Sequence, residues 1–171
     1  EVALDWLRQM VGLPPEFMGV IMDTASVASL CAIAAAREAV PGHRLRERGM
    51  AGGPRLRLYT SDQAHSSIEK AALVLGIGQE GVRKIPTDAE FRLDAAVLRA
   101  AIAEDRRAGW QPFCVVATVG TTSTTSVDPV PAIAEICEQE GLWLHVDGAY
   151  AGMAAVAPEF RWVLDGCSRA D

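Results

Sequence analysis

The stretch LWLHVDGAYAG, Leu142 to Gly152, carries an apolar run into a carboxylate, Asp147, and then into small residues and one tyrosine. Alternation along LWLHVD places Trp143, His145 and Asp147 on one face of a strand and Leu144 and Val146 on the other. An ionised carboxylate without a partner is very costly to desolvate. Asp147 must therefore reach water at the strand's end or receive a cation. Gly148, Ala149, Ala151 and Gly152 leave room for a flat ligand close to the backbone.

Outward from this stretch the chain alternates between two periodicities. LRLYTS, VRKIPT, PFCVVATVG and LWLHVD read as strands, and SSIEKAALVLG, DAAVLRAAIAEDRRAG and DPVPAIAEICEQEG as helices between them. Asp94 is placed to cap the second helix and Gly109 to close it, and the third has prolines in its first turn. Such alternation predicts an α/β fold, a mainly parallel sheet with helices on both faces. Nearer the N-terminus, residues 3–11 have helical spacing, MGVIMDTAS reads as a short strand feeding a polar turn, and SVASLCAIAAAREAV as an alanine-rich helix. Residues 41–57, with five arginines among Gly and Pro, read as a mobile solvated loop.

The bulk properties narrow the function. A chain of 171 residues, half of them hydrophobic, can bury a real core. A net charge of −6 argues against a nucleic-acid surface. Cys31, Cys114, Cys137 and Cys167 form no CxxC pair; three lie in apolar segments, which predicts buried free thiols and neither a disulfide framework nor a zinc site. No basic leader precedes an apolar core, and the longest weakly polar run, Ala25 to Ala36, is too short to span a bilayer. These features point to a soluble, cytoplasmic setting without a membrane partner.

Ligands of open parallel sheets bind beyond the carboxyl ends of the strands. There the sequence places DTASVAS, whose hydroxyls and small residues open a helix and suit either an anion or ordinary capping by Thr24 or Ser26. It places His65 in TSDQAHSS, with Asp62 or Ser66 as a helix cap, and Thr121 and Thr122 after Gly120 in TVGTTSTTS. Asp147 completes the set. His145 alone is adjacent to it, too few ligands for a metal. An aromatic phosphate ester with a basic ring nitrogen would use the helix N-terminus, the histidine, the threonine hydroxyls and the carboxylate together.

TSDQAHSSIEKAALVLG, ATVGTTSTTSVDPV and LWLHVDGAYAG, in this order and separation, resemble the large domain of the group II pyridoxal-phosphate-dependent decarboxylases, closest to the aromatic-L-amino-acid and histidine decarboxylase branch. The resemblance covers essentially all 171 residues as part of one cofactor-binding domain of fold type I. It implies pyridoxal 5′-phosphate as cofactor, an L-amino acid as substrate, and a homodimer. It implies that Asp147 pairs with the pyridinium nitrogen, that His65 stacks over the ring near the substrate carboxylate, and that Ala149 packs on the other face. Ala25 and Ser26 match the phosphate-binding turn, and Thr122 the GTT threonine beside the ring; His145 is a partner behind Asp147.

Some positions depart from the family pattern. Asp23 stands where glycine or a hydroxyl residue is usual, Val27 where an acid is frequent, and Gly148 where alanine is common. The lysine that carries the cofactor in this family lies shortly after the segment matching DGCSRAD, and neither Lys70 nor Lys84 matches it. The chain is therefore expected to be a portion of a longer enzyme, with that lysine and a small C-terminal domain outside it. Decarboxylation of an L-amino acid, with an aromatic side chain favoured, is the expected activity. An aromatic aldehyde synthase of the same family and a non-catalytic binding module are the alternatives.

Overall fold

The computed structural model describes residues 2–171. Four strands, β1 (Leu56–Ser61), β2 (Val82–Ile85), β3 (Gln111–Thr118) and β4 (Trp143–Asp147), form one parallel sheet in the order β2-β1-β3-β4. Six helices accompany them: α1 (Val2–Met10), α2 (Ala25–Glu38), α3 (Leu45–Arg48), α4 (Ser67–Val74), α5 (Ala95–Arg107) and α6 (Val130–Glu140). Short 3-10 turns cover Gly152–Val156, Pro158–Leu164 and Cys167–Arg169. The expected α/β architecture and its alternating elements are present.

Crossovers between parallel strands are right-handed. The connection from β1 to β2 runs in one direction and those through β3 to β4 run in the other, so their helices fall on opposite faces. One face is sealed by α2 and α4, with Ile33, Leu58, Ile68, Cys114 and Val116 at its centre. The other is sealed by α5 and α6, with Tyr59, Leu98, Ile102, Val115, Ile133 and Leu144. Leu144 and Val146 pack on the second face and Trp143 on the first, as the alternation along β4 requires. β3 carries one extra residue opposite the Arg57–Leu58 step, which turns both Phe113 and Cys114 to the α2 face.

Asp94 caps α5 by accepting from the amides of Ala96 and Val97. Only Ser29, Ile33 and Ala36 of α2 are buried, a narrow stripe that leaves Cys31 exposed, while Cys114, Cys137 and Cys167 are buried free thiols. Burial pushes the Cys137 thiol up to about 12 and that of Cys167 to about 11.

Two expectations are corrected. MGVIMDTAS forms no strand: Met18, Val20 and Ile21 are exposed, and no chain lies alongside to supply the ladder a strand requires. Residues 41–57 are not wholly loop. They contain α3, pinned by buried Leu45, and their last two residues already belong to β1.

Asp105 on α5 is 3% exposed and gathers the polar groups of the α5 face. It accepts from the Tyr59 hydroxyl at 2.9 Å and pairs with Arg83 at 2.9 Å and Arg57 at 3.2 Å. Burial first, and the Asp105 carboxylate second, push the Tyr59 hydroxyl far up. The Arg57 guanidinium also lies 3.5 Å from the centroid of the Trp110 ring. Asp105→Ala would strip the Tyr59 hydroxyl of its acceptor and remove the carboxylate shared by Arg57 and Arg83, which keep the Glu80 carbonyl and Glu104, with an expected loss of about 3 kcal/mol in urea denaturation. A loss below about 1 kcal/mol would show that water replaces the carboxylate freely.

His145 is half-buried on β4, and its enclosed Nε2 has no partner. Burial lowers its pKa, against the pull of neighbouring Asp147. The unfolded chain, with an ordinary value of about 6.5, then binds the proton more readily than the folded one. Stability from this group is fully present above that value and is lost as pH falls below it. Wild type should therefore lose more stability than His145→Gln between about pH 7 and pH 5.5. Parallel pH profiles would contradict this.

Candidate active site

The strand order reverses between β1 and β3, and the carboxyl ends on either side of that reversal are where an open α/β sheet leaves a crevice. A pocket of about 380 Å³ opens there, lined by Thr24, Ala25, Ser26, His65, Ser67, Thr118, Gly120, Thr122, Asp147, Ala149 and Tyr150. Every site residue expected from sequence (Ala25, Ser26, His65, Thr122, Asp147 and Ala149) lines this one pocket. A second cavity, about 410 Å³, lies at the opposite, N-terminal ends of β3 and β4, away from these groups.

At the α2 end, Thr24 is the N-cap and its hydroxyl accepts from the Val27 amide at 3.2 Å. The amides of Ala25 and Ser26, first in the helix, have no intrahelical acceptor, and they carry the positive end of the helix dipole. Such a terminus can hold an anion at the edge of the pocket. Asp23 is exposed but outside the pocket lining, and Val27 also lies outside it.

His65 sits in the turn from β1 to α4. Its Nδ1 accepts from the Ser67 amide at 3.2 Å and lies 2.9 Å from the Ser67 hydroxyl. Because an amide can only donate, the neutral ring carries its proton on Nε2. Ser66 makes no side-chain cap bond and Asp62 does not cap α4; the histidine ring itself satisfies the first helical amide.

The turn after β3 separates its two threonines. Thr121 is buried, its hydroxyl 2.7 Å from that of Thr124 and 3.0 Å from that of Ser126, while accepting from the Ser126 amide at 3.1 Å. Ser126 in turn donates to the Phe91 carbonyl at 2.7 Å. That hydroxyl knot is internal to the turn, and Thr122 is the one exposed into the pocket. Gly120 has φ +84°, and a Cβ there would stand 2.5 Å from Ala151 Cβ. Glycine therefore lets the turn close onto the segment after Asp147.

Asp128, which the sequence reading passed over, holds this turn in place. It is 2% exposed; one oxygen accepts from Leu93 N at 2.7 Å and the other from Thr118 N at 2.8 Å. Burial raises its pKa, and the two amides oppose that rise. Its place before Pro129 suggests a helix cap, but its bonds reach back to other elements.

Asp147 ends β4 beside Thr118 of β3, paired in register. One carboxylate oxygen accepts from the Ala149 amide at 3.1 Å. Among the described residues no lysine or arginine forms an ion pair with it. Gly148 has room for a methyl group, with Gly152 Cα at 3.4 Å from a built Cβ, so the departure from alanine there costs no fit. The Thr118 hydroxyl, buried in the pocket floor, has no partner. An uncompensated carboxylate and an orphaned hydroxyl on one side, and an anion-binding helix terminus on the other, match a ligand with a basic ring nitrogen and a phosphate. The residues present fit pyridoxal phosphate.

Comparison with known proteins gives the same direction. The profile described as pyridoxal-dependent decarboxylase conserved domain matches residues 1–171. The aromatic-L-amino-acid decarboxylase of Bos taurus is 44% identical over 99% of this chain, which spans 37% of that protein. The phenylacetaldehyde synthase of Petunia hybrida is 41% identical over 99% of this chain and 34% of its own length. Among solved structures, Oryza sativa TDC with PLP and tryptamine superposes with a TM-score of 0.90 at 44% identity, covering 99% of this chain and 36% of that one. The chain thus spans about a third of the length of the relatives it matches, and it belongs to the pyridoxal-dependent decarboxylase family.

Proposed function

We propose that the protein carrying this chain decarboxylates an aromatic L-amino acid to the corresponding amine and carbon dioxide with pyridoxal phosphate. The observation that carries this reading is Asp147: a carboxylate at a strand end, without a cation, in a pocket whose far side is a helix N-terminus. Bound pyridoxal phosphate supplies an electron sink for the pair released when a bond to the substrate's α-carbon breaks.

The chain's own residues have defined tasks in this reading. Asp147 holds a proton on the ring nitrogen, since a nearby negative charge favours the protonated form. The Ala25 and Ser26 amides, with the Ser26 hydroxyl, bind the phosphate. His65 would stack over one ring face, with its Nδ1 anchored to Ser67 and its Nε2–H left to meet a substrate carboxylate. Ala149 bounds the other face, and Thr122 lies beside the ring. Orienting the bond to be broken selects decarboxylation over competing reactions at the same carbon.

The homodimer is part of this reading. Its support is the apolar surface of Trp6, Leu7 and Met10 on α1, together with Met18, Val20 and Ile21, all exposed in the single chain. A cytoplasmic setting is supported by the free state of all four cysteines. No helix among the described residues is long and apolar enough to cross a membrane.

The petunia relative supports a second reading, oxidative conversion of the amino acid to an aldehyde. His65 favours simple decarboxylation. The full-length protein supplied with tryptophan, tyrosine or phenylalanine should release amine and carbon dioxide in equal amounts. Stoichiometric hydrogen peroxide and ammonia would instead establish the aldehyde synthase. Asp147→Ala should cut turnover by orders of magnitude, and near-normal activity would refute its assignment. His65→Ala should lower turnover while the folded fraction stays near wild type; an unfolded variant with normal activity per folded molecule would make His65 a helix cap and nothing more.

A further inference from the structure

Thr118 is 4% exposed, and its Oγ1 is enclosed without a hydrogen-bond partner. A threonine in such a position is costly to keep, since a valine of the same shape would leave nothing unsatisfied. Its location suggests what the hydroxyl is for. Thr118 lies opposite Asp147 in the β3–β4 register, on the same face of the sheet, and lines the same pocket. Ser61 is equally buried with an equally unpartnered hydroxyl, yet it lies outside that lining.

The backbone of Thr118 cannot swing the hydroxyl elsewhere. Its amide donates to Asp128 Oδ2 at 2.8 Å, and its carbonyl accepts from the Asp128 amide at 2.9 Å. A β-branched side chain on a fixed backbone has few rotamers. Across from it, one Asp147 oxygen is taken by the Ala149 amide and the other has no protein donor. Beside a carboxylate, which only accepts, a hydroxyl donates.

We infer that Thr118 is the positioning residue of Asp147: its hydroxyl donates to the free oxygen of that carboxylate in the loaded site and fixes the direction from which the carboxylate meets the ring nitrogen. The inference rests on the assignment of Asp147 given above. Two consequences of opposite sign follow from replacing the hydroxyl by a methyl group. Without cofactor the floor loses an unsatisfied polar atom, so Thr118→Val should be as stable as wild type or more so. With cofactor the carboxylate loses a charge-assisted donor, so affinity should fall.

The test uses the full-length protein with Thr118→Val, Thr118→Ser and Asp147→Ala. Pyridoxal phosphate dissociation constants are measured by equilibrium titration, and thermal midpoints on the cofactor-free forms. The expected result is about a tenfold weaker constant for Thr118→Val, the size of one charge-assisted bond, with an unlowered midpoint. Thr118→Ser should return to within about twofold of wild type, because the hydroxyl is restored. Wild-type affinity in Thr118→Val overturns the inference, as does weaker binding accompanied by a lowered cofactor-free midpoint, which would make the residue structural. If Asp147→Ala also binds with wild-type affinity, the assignment of Asp147 fails as well; if Asp147→Ala alone binds weakly, that assignment stands and only the role of Thr118 falls.

Discussion

A parallel sheet in which the strand order reverses between β1 and β3 must send its crossover helices to opposite faces, and no helix then covers the carboxyl ends at the reversal. Everything of chemical interest in this chain follows from that gap. His65 follows β1, Gly120 and Thr122 follow β3, Asp147 ends β4, and α2 brings its free amides to the same rim. These five groups come from segments up to about 120 residues apart and still share one pocket, because each is fixed to the end of a paired strand or the start of a packed helix.

The pocket is held by groups that never face it. Asp128 joins the end of β3 to the approach to α5 with two short bonds from amides, and the Thr121–Thr124–Ser126 knot ties the turn to Phe91. Val119 donates to the Asp147 carbonyl at 2.8 Å, which fixes the turns after β3 and β4 to one another. Two polar groups without a protein partner lie where a ligand would meet them: Thr118 Oγ1 and the second oxygen of Asp147. A binding site turns such groups toward its ligand and holds them on a scaffold fixed by other bonds.

The sequence made the sheet and most of the site legible because both depend on short-range patterns. Period-2 and period-3.6 runs located all four strands and the helices between them. Strand-end logic drew attention to the segments that carry His65 and Asp147, and the family resemblance singled out Thr122; all three line one pocket. What it could not show depends on distant partners. Apolar alternation in MGVIMDTAS resembles a strand, but no neighbour pairs with it. Leu45 hides a helical turn inside an arginine-rich segment because only its burial reveals it. Asp128 reads locally as a cap, and its bond to Leu93 spans 35 residues. Thr118 reads as the polar end of an apolar strand, and its orphan hydroxyl becomes visible only once Asp147 is known to stand beside it.

The account turns on a proton held between Asp147 and a ring nitrogen, and nitrogen-15 NMR observes that proton directly. The full-length protein loaded with cofactor labelled at the ring nitrogen should show the shift of a protonated pyridinium from neutral into mildly alkaline pH, and Asp147→Ala should show the unprotonated shift under the same conditions. An unprotonated ring nitrogen in the wild-type protein at neutral pH would contradict the account, because the carboxylate at the end of β4 would then be without its cation.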